Sequence, residues 1–173
     1  MVRWLAVLTV ACVLTSGCDD DSSPVSPGTL PVSFSAILSP ANEVPAITNV
    51  ESSGQGTAQV QFNLTRDAGG AISGATADMY FSASDMPPNT TLIGAHIHSG
   101  VAGVNGPVLI STGLTTARTE QLPNGRGEFT MRGIVVQPSV VQGIIDNPAG
   151  YYFNIHSPTN PGGFTRGQLR RVQ

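Results

Sequence analysis

The three histidines of the 173-residue chain, His96, His98 and His156, are the side chains whose type and spacing best suit chemistry. On an extended strand, residues two apart share a face. His96 and His98 therefore stand side by side, while Ala95 and Ile97 point the other way into a core. His156 belongs to the run Tyr151–His156, in which Tyr151, Phe153 and Ile155 alternate with Tyr152, Asn154 and His156. That alternation puts it on a polar face as well. Two imidazoles on a rigid strand are half of a tetrahedral or tetragonal metal site. A third on a paired strand would let three converge on copper or zinc. A fourth ligand would come from Asp78, Asp85, water or a partner surface. The competing reading is that these are hydrogen-bonding histidines on a half-exposed strand, with Asn154 or Asn105 as their partners and no metal.

Other chemistries find less support. No His-Glu-x-x-His motif occurs, and no Gly-x-Ser-x-Gly elbow surrounds Ser99, which follows His98. Glu43 is one of four glutamates and has no second carboxylate placed beside it, so a glycosidase-like pair is unsupported. It reads as structural, with Arg166 as its ion-pair partner. Gly100, Gly103 and Gly106 make a glycine-rich loop, but no helix N-terminus follows to complete a phosphate cradle.

The elements that must position the histidines are strands. Only 11% of residues are charged, while Gly (20) and Pro (13) are plentiful and 40% of residues are apolar. That balance suits short strands and tight turns, not a helical bundle that needs Glu, Lys and Arg on its exposed faces. Ala58, Val60, Phe62 and Leu64 alternate with Thr57, Gln59, Gln61, Asn63 and Thr65. Ala75, Ala77, Met79 and Phe81 alternate with Thr76, Asp78, Tyr80 and Ser82, and the turn Asp67-Ala68-Gly69-Gly70 joins the two runs. Phe34, Ala36 and Leu38 mark a first strand. Phe129 and Met131 mark another, after Pro123-Asn124-Gly125. Over Pro138–Asn147 the pattern changes: Val140, Val141, Ile144 and Ile145 predict a short helix with Ser139 as N-cap and Pro148-Ala149-Gly150 as its stop. Roughly eight strands and one helix over residues 32–173 predict an all-β Greek-key sandwich.

The N-terminus reads as a targeting segment. Arg3 is followed by an apolar run from Trp4 to Leu14, too short to span a bilayer, and residues 1–17 are expected to be a signal peptide. Leu14-Thr15-Ser16-Gly17-Cys18 resembles the lipobox of bacterial lipoproteins, which implies lipidation at Cys18; ordinary cleavage with release of the chain is the alternative. Residues 18–31 then form a flexible acidic, Pro- and Ser-containing linker. Cys12 would be removed with the leader, so the body has no intramolecular disulfide. All eight basic residues are Arg and the net charge is −3, which removes the basic stripe that nucleic-acid recognition requires.

Four segments together resemble one family. They are Asn42-Glu43-Val44-Pro45, Gly94-Ala95-His96-Ile97-His98-Ser99-Gly100 running to Asn105-Gly106-Pro107-Val108, Tyr152-Phe153-Asn154-Ile155-His156, and Arg166-Gly167-Gln168-Leu169. Their order and spacing resemble the CHRD (chordin-type) domain over about Val32 to Arg171. The resemblance implies an immunoglobulin-like β-sandwich, distantly like copper/zinc superoxide dismutase, with no general activity attached. It makes Glu43, Asn105, Asn154, Arg166 and Gln168 motif residues, structural or binding. The chain departs from the family at Gly163-Phe164-Thr165, where a Gly-Glu-hydrophobic run is usual, so it lacks the carboxylate that run supplies.

Two functions follow as expectations. The first is a non-enzymatic module of the bacterial cell envelope, tethered to a membrane by its lipid, that binds an extracytoplasmic protein, a surface polymer or a small ligand. The rival is a periplasmic or surface metal-binding protein using His96, His98 and His156. Dismutase-like activity is its extreme, and redox catalysis would need a fuller ligand set.

Overall fold

A computed structural model describes residues 31–172. The expected signal peptide, the lipidation site at Cys18, the linker as far as residue 30 and Gln173 lie outside the described residues. The strands in chain order are β1 (Val32–Leu38), β2 (Gln55–Arg66), β3 (Ile72–Ser84), β4 (Thr90–Leu92), β5 (Gly94–Ser99) and β6 (Val108–Ser111). They continue with β7 (Glu120–Leu122), β8 (Gly127–Val136), β9 (Tyr151–His156), β10 (Thr165–Gln168) and β11 (Arg170–Arg171). One helix, α1 (Pro138–Asp146), lies between β8 and β9. The long strands fall where the alternation placed them. The total exceeds eight because β4, β7 and β11 are too short to leave a periodic signal.

Two antiparallel sheets form the sandwich. One has the order β11-β1-β2-β3-β8 and the other β10-β9-β5-β6, while β4 and β7 pair in a small ribbon. Phe34, Phe62, Met79 and Phe81 from the first sheet meet Ala95, Ile97, Phe153 and Ile155 from the second, and all are buried. The rings of Phe81 and Phe153 pack across the interface at 5.4 Å. Each such aromatic side chain gains about 2–3 kcal/mol by leaving water, so the sheet-to-sheet contact follows from the alternation itself.

Helix α1 closes the sandwich with Val141 and Ile144 turned into the core. Its start differs from expectation. Pro138 takes the first helical position and Gln137 is an extended cap without a side-chain bond, so Ser139 is already inside the helix. Proline suits that position because it has no N–H to leave unpaired and its φ is preset.

The other correction concerns the second sheet. Its outer face was expected to be wet, yet Tyr152, Asn154, His156 and Arg166 on that face are as buried as the core residues between them. The irregular chain around Asn42–Asn49, the loop Gly100–Pro107 and the turn Ser157–Gly163 bond to this face and cover it. A buried face needs its polar groups paired, and those pairings make the site.

Candidate metal centre

Strand pairing brings the histidines together. The register of β5 on β9 sets Gly94 opposite His156, His96 opposite Asn154 and His98 opposite Tyr152. On the other side of β9, β10 sets Arg166 opposite Asn154 and Gln168 opposite Tyr152. These residues share the outer face because side chains alternate, and Ala95, Ile97, Phe153 and Ile155 point inward as expected. His96, His98 and His156 form a group whose ligand atoms all lie within 4.8 Å of one another. Among the described residues, Asp78 and Asp85 are not part of it. Asp78 instead accepts the Gly133 N–H at 2.8 Å, at a register break between β3 and β8 on the other sheet.

Glycine at 94 is what lets the rings meet. A Cβ at that position would stand 2.8 Å from His96 Cε1 and 3.3 Å from His156 Cδ2. The centroids of these two rings are 4.8 Å apart.

The hydrogen bonds set the tautomers. His98 Nδ1 lies 3.0 Å from the Gly106 carbonyl, and His156 Nδ1 lies 3.0 Å from the Pro161 carbonyl. A carbonyl only accepts, so both Nδ1 atoms carry the proton and both Nε2 atoms carry a lone pair. His96 Nδ1 stands 3.1 Å from His156 Nε2 and must donate to it. His98 Nε2 is buried and has no partner. An imidazole held through Nδ1–H by a backbone carbonyl, with its other nitrogen free, is the arrangement of metal-ligating histidine.

The asparagines do not serve the histidines as anticipated. Asn105 accepts from Arg166 Nη1 at 2.7 Å and donates to the Val44 carbonyl at 2.8 Å; Asn154 donates to the Gly162 carbonyl at 3.2 Å. The partners that were missed are backbone carbonyls, which carry no sequence signature. Gly106 left one legible trace: a Cβ there would fall 1.6 Å from the Ser99 carbonyl oxygen, so only glycine fits.

Electrostatics keep the imidazoles neutral. Burial, reinforced by His156 and then His98, pushes His96 down to about 4. Burial also holds His98 below its ordinary range, with the Arg166 charge adding to it and the Gly106 bond opposing it. His156 is lowered by burial and by His98, against the Pro161 bond. At neutral pH the cluster therefore offers lone pairs, not charges. Tetrahedral binding with metal–nitrogen bonds near 2.0–2.1 Å needs nitrogens about 3.3 Å apart. The closest pair already meets that, and the widest would close by about 1.5 Å through ring rotation.

Beside the cluster runs a cationic stack. The Tyr152 ring lies against His98 at 4.9 Å and nearly parallel, and the Arg166 guanidinium lies 4.6 Å from the Tyr152 centroid. Arg166 is 2% exposed. It donates from Nε to the Asn42 carbonyl at 2.6 Å. The Arg166–Glu43 pair expected from the sequence is present, but at 3.8 Å it is longer than a hydrogen bond. Glu43 Oε1 and Arg166 Nη2 are both buried without a hydrogen-bond partner. Burial pushes Glu43 up to about 7 although Arg166 opposes it. Gln168 spans from β10 to the Gly100, Ala149 and Tyr151 carbonyls and so ties down the loop that carries Gly106.

No curated protein and no solved structure matches the chain. The family model described as the CHRD domain does match, over residues 34–169. That span holds the second sheet, all but the edge strand β11 and the first residues of β1 in the first, the three histidines and the Arg166 stack, and by it this chain belongs to the CHRD domain family.

Proposed function

We propose that this CHRD-domain protein binds a transition-metal cation, copper or zinc, through His96, His98 and His156. The observation that carries the reading is the buried, unpartnered His98 Nε2 inside a cluster of neutral imidazoles. An unpaired polar atom in such a place costs about 1–3 kcal/mol, and a cation would remove that cost. All-imidazole ligation suits copper and zinc better than magnesium or calcium, which prefer oxygen. His156 and His98 each have one nitrogen anchored to backbone. His96, bonded through Nδ1 to His156, supplies the third ligand by moving its proton to Nε2.

The test is elemental analysis with copper and zinc titration, beside a His96→Ala/His98→Ala double variant. Stoichiometric metal that is lost in the variant supports the reading. Absence of binding at micromolar metal in the wild type overturns it. With metal at about one hundred times Kd, the fold gains roughly 2.7 kcal/mol, which melting curves would register.

The protein is further proposed to act at the bacterial cell envelope, held to a membrane by lipid on Cys18. Radiolabelled fatty acid incorporated by the wild type and not by Cys18→Ser would support this. Among the described residues no helix is long and apolar enough to cross a membrane. A second reading, capture of an extracytoplasmic protein or surface polymer, draws on the exposed Val101, Val104, Val108 and Leu109 at and before the edge strand β6. Val108→Asp would then abolish capture of a cell-surface partner without changing metal content.

A further inference from the structure

A second buried carboxylate stands behind the histidines. Glu51 is 2% exposed and lies in the irregular chain ahead of β2. Two donors converge on its Oε2: the Ser157 hydroxyl at 2.6 Å and the Asn160 side-chain amide. Both belong to the turn that links β9 to β10. That turn is closed on itself by the Asn160 N–H to Ser157 Oγ at 3.0 Å and the Gly163 N–H to the Asn160 carbonyl at 3.0 Å. Asn49 adds a bond from its side-chain amide to Asn160 Oδ1 at 2.9 Å. Within this turn the Pro161 carbonyl faces His156 Nδ1.

We infer that Glu51 is a positioning residue for the metal site. It anchors the turn whose Pro161 carbonyl holds His156 in the Nδ1–H tautomer, with Nε2 directed at the cation. The inference rests on the metal reading above for its function, but its geometry is independent of any ion. Proline has no N–H of its own to fix it, and the turn that Ser157 and Asn160 close is what presents the Pro161 carbonyl to His156 Nδ1. Releasing Asn160 and Ser157 would let that carbonyl move and free the ring to exchange tautomers. Outer-shell partners of ligating histidines typically change metal affinity by about 10–100-fold.

Because both donors meet one oxygen, the role needs an acceptor and not a charge. Glu51→Gln retains a carbonyl oxygen at the same reach, whereas Glu51→Ala removes the acceptor. The experiment follows the ring nitrogen-15 shifts of His156 in metal-free protein and zinc affinity by competition titration. The expected result is a single Nδ1–H tautomer in the wild type and in Glu51→Gln. Glu51→Ala should show mixed tautomers and an affinity about tenfold weaker. An unchanged His156 tautomer in Glu51→Ala overturns the inference, as does unchanged zinc affinity. A wild type that takes no zinc overturns the metal reading and the functional half of this one, while the ring shifts still decide whether Glu51 sets the tautomer. Should Glu51→Ala fail to fold, Ser157→Ala removes one of the two bonds and is read against the same criteria.

Discussion

Burying Glu43 should make this protein's stability depend on pH in the sense opposite to that of an ordinary ion-paired carboxylate. Glu43 is 6% exposed, Oε1 has no hydrogen-bond partner among the described residues, and its ion-pair partner Arg166 stands 3.8 Å away. Arg166 Nε is committed to the Asn42 carbonyl and Nη1 to Asn105, so its charge compensates the carboxylate poorly. The result is a pKa of about 7 in the fold against an ordinary 4.5. An acid with a raised folded pKa binds its proton more tightly when folded. Its contribution is fully present below 4.5 and is lost as pH rises through about 7. At roughly 1.4 kcal/mol per pKa step, acidification from pH 8 to pH 5 should return about 2.5 kcal/mol.

Absolute stability will not display this, because three imidazoles with lowered pKa values weaken the fold over the same range. The difference between the wild type and Glu43→Gln isolates it, since the histidines cancel. Denaturant melts of both proteins at pH 8, 7, 6 and 5 in chelator should show the wild type gaining about 2.5 kcal/mol on the variant. In thermal melts the gain is roughly 5–10 °C for a domain of this size. A pH-independent difference would refute the reasoning. A difference that moves the other way would mean that attraction to Arg166 outweighs burial, making Glu43 a simple salt-bridge carboxylate.

Other substitutions probe the remaining supports. Gly94→Ala inserts a Cβ 2.8 Å from His96 Cε1 and should weaken copper or zinc binding at least tenfold while leaving the sandwich folded, as read by titration and circular dichroism. Gly106→Ala meets the Ser99 backbone and should cost more than about 3 kcal/mol in a urea melt, because backbone cannot yield as a side chain does. Phe153→Ala opens a cavity beside Phe81 and should cost about 3–5 kcal/mol. Asp78→Ala strands the Gly133 N–H on an exposed face where water replaces it, and should cost no more than about 1 kcal/mol with metal content unchanged.

The strands of the core were legible in the sequence because alternation is a local property. Ala58, Val60 and Phe62 in β2 and Ala75, Ala77 and Met79 in β3 announce which face they bury before any partner is known. The same rule put His96 and His98 on one face of β5 and His156 on the matching face of β9. The four motifs pointed to the family that the chain proved to share. Short pieces such as β4 and β7 were not legible, since three residues carry no period. The start of α1 was misplaced by two residues: Ser139 was expected as the N-cap, whereas Gln137 is the cap and Pro138 the first helical position.

What only the tertiary structure decided is the environment of those histidines. Polar residues on one side of a strand suggest water, and alternation alone does not reveal that other chain segments will cover them. Asn42–Asn49, Gly100–Pro107 and Ser157–Gly163 do so here, tied down in part by bonds that join Asn42 to Arg166 and Glu51 to Ser157 across more than one hundred positions. The groups that orient the rings are the carbonyls of Gly106 and Pro161, and a carbonyl is common to every residue type. Which carbonyl meets which imidazole is set by how the loop after β5 and the turn after β9 fold back onto their own strands, over eight and five residues. Sequence therefore determined the residue types and the strand faces. Tertiary structure decided that the three imidazoles gather on one sheet, with His98 and His156 buried and His96 half-buried. It also decided that they are neutral and held in chosen tautomers, because desolvation and hydrogen-bond geometry exist only once the covering segments have folded over the sheet.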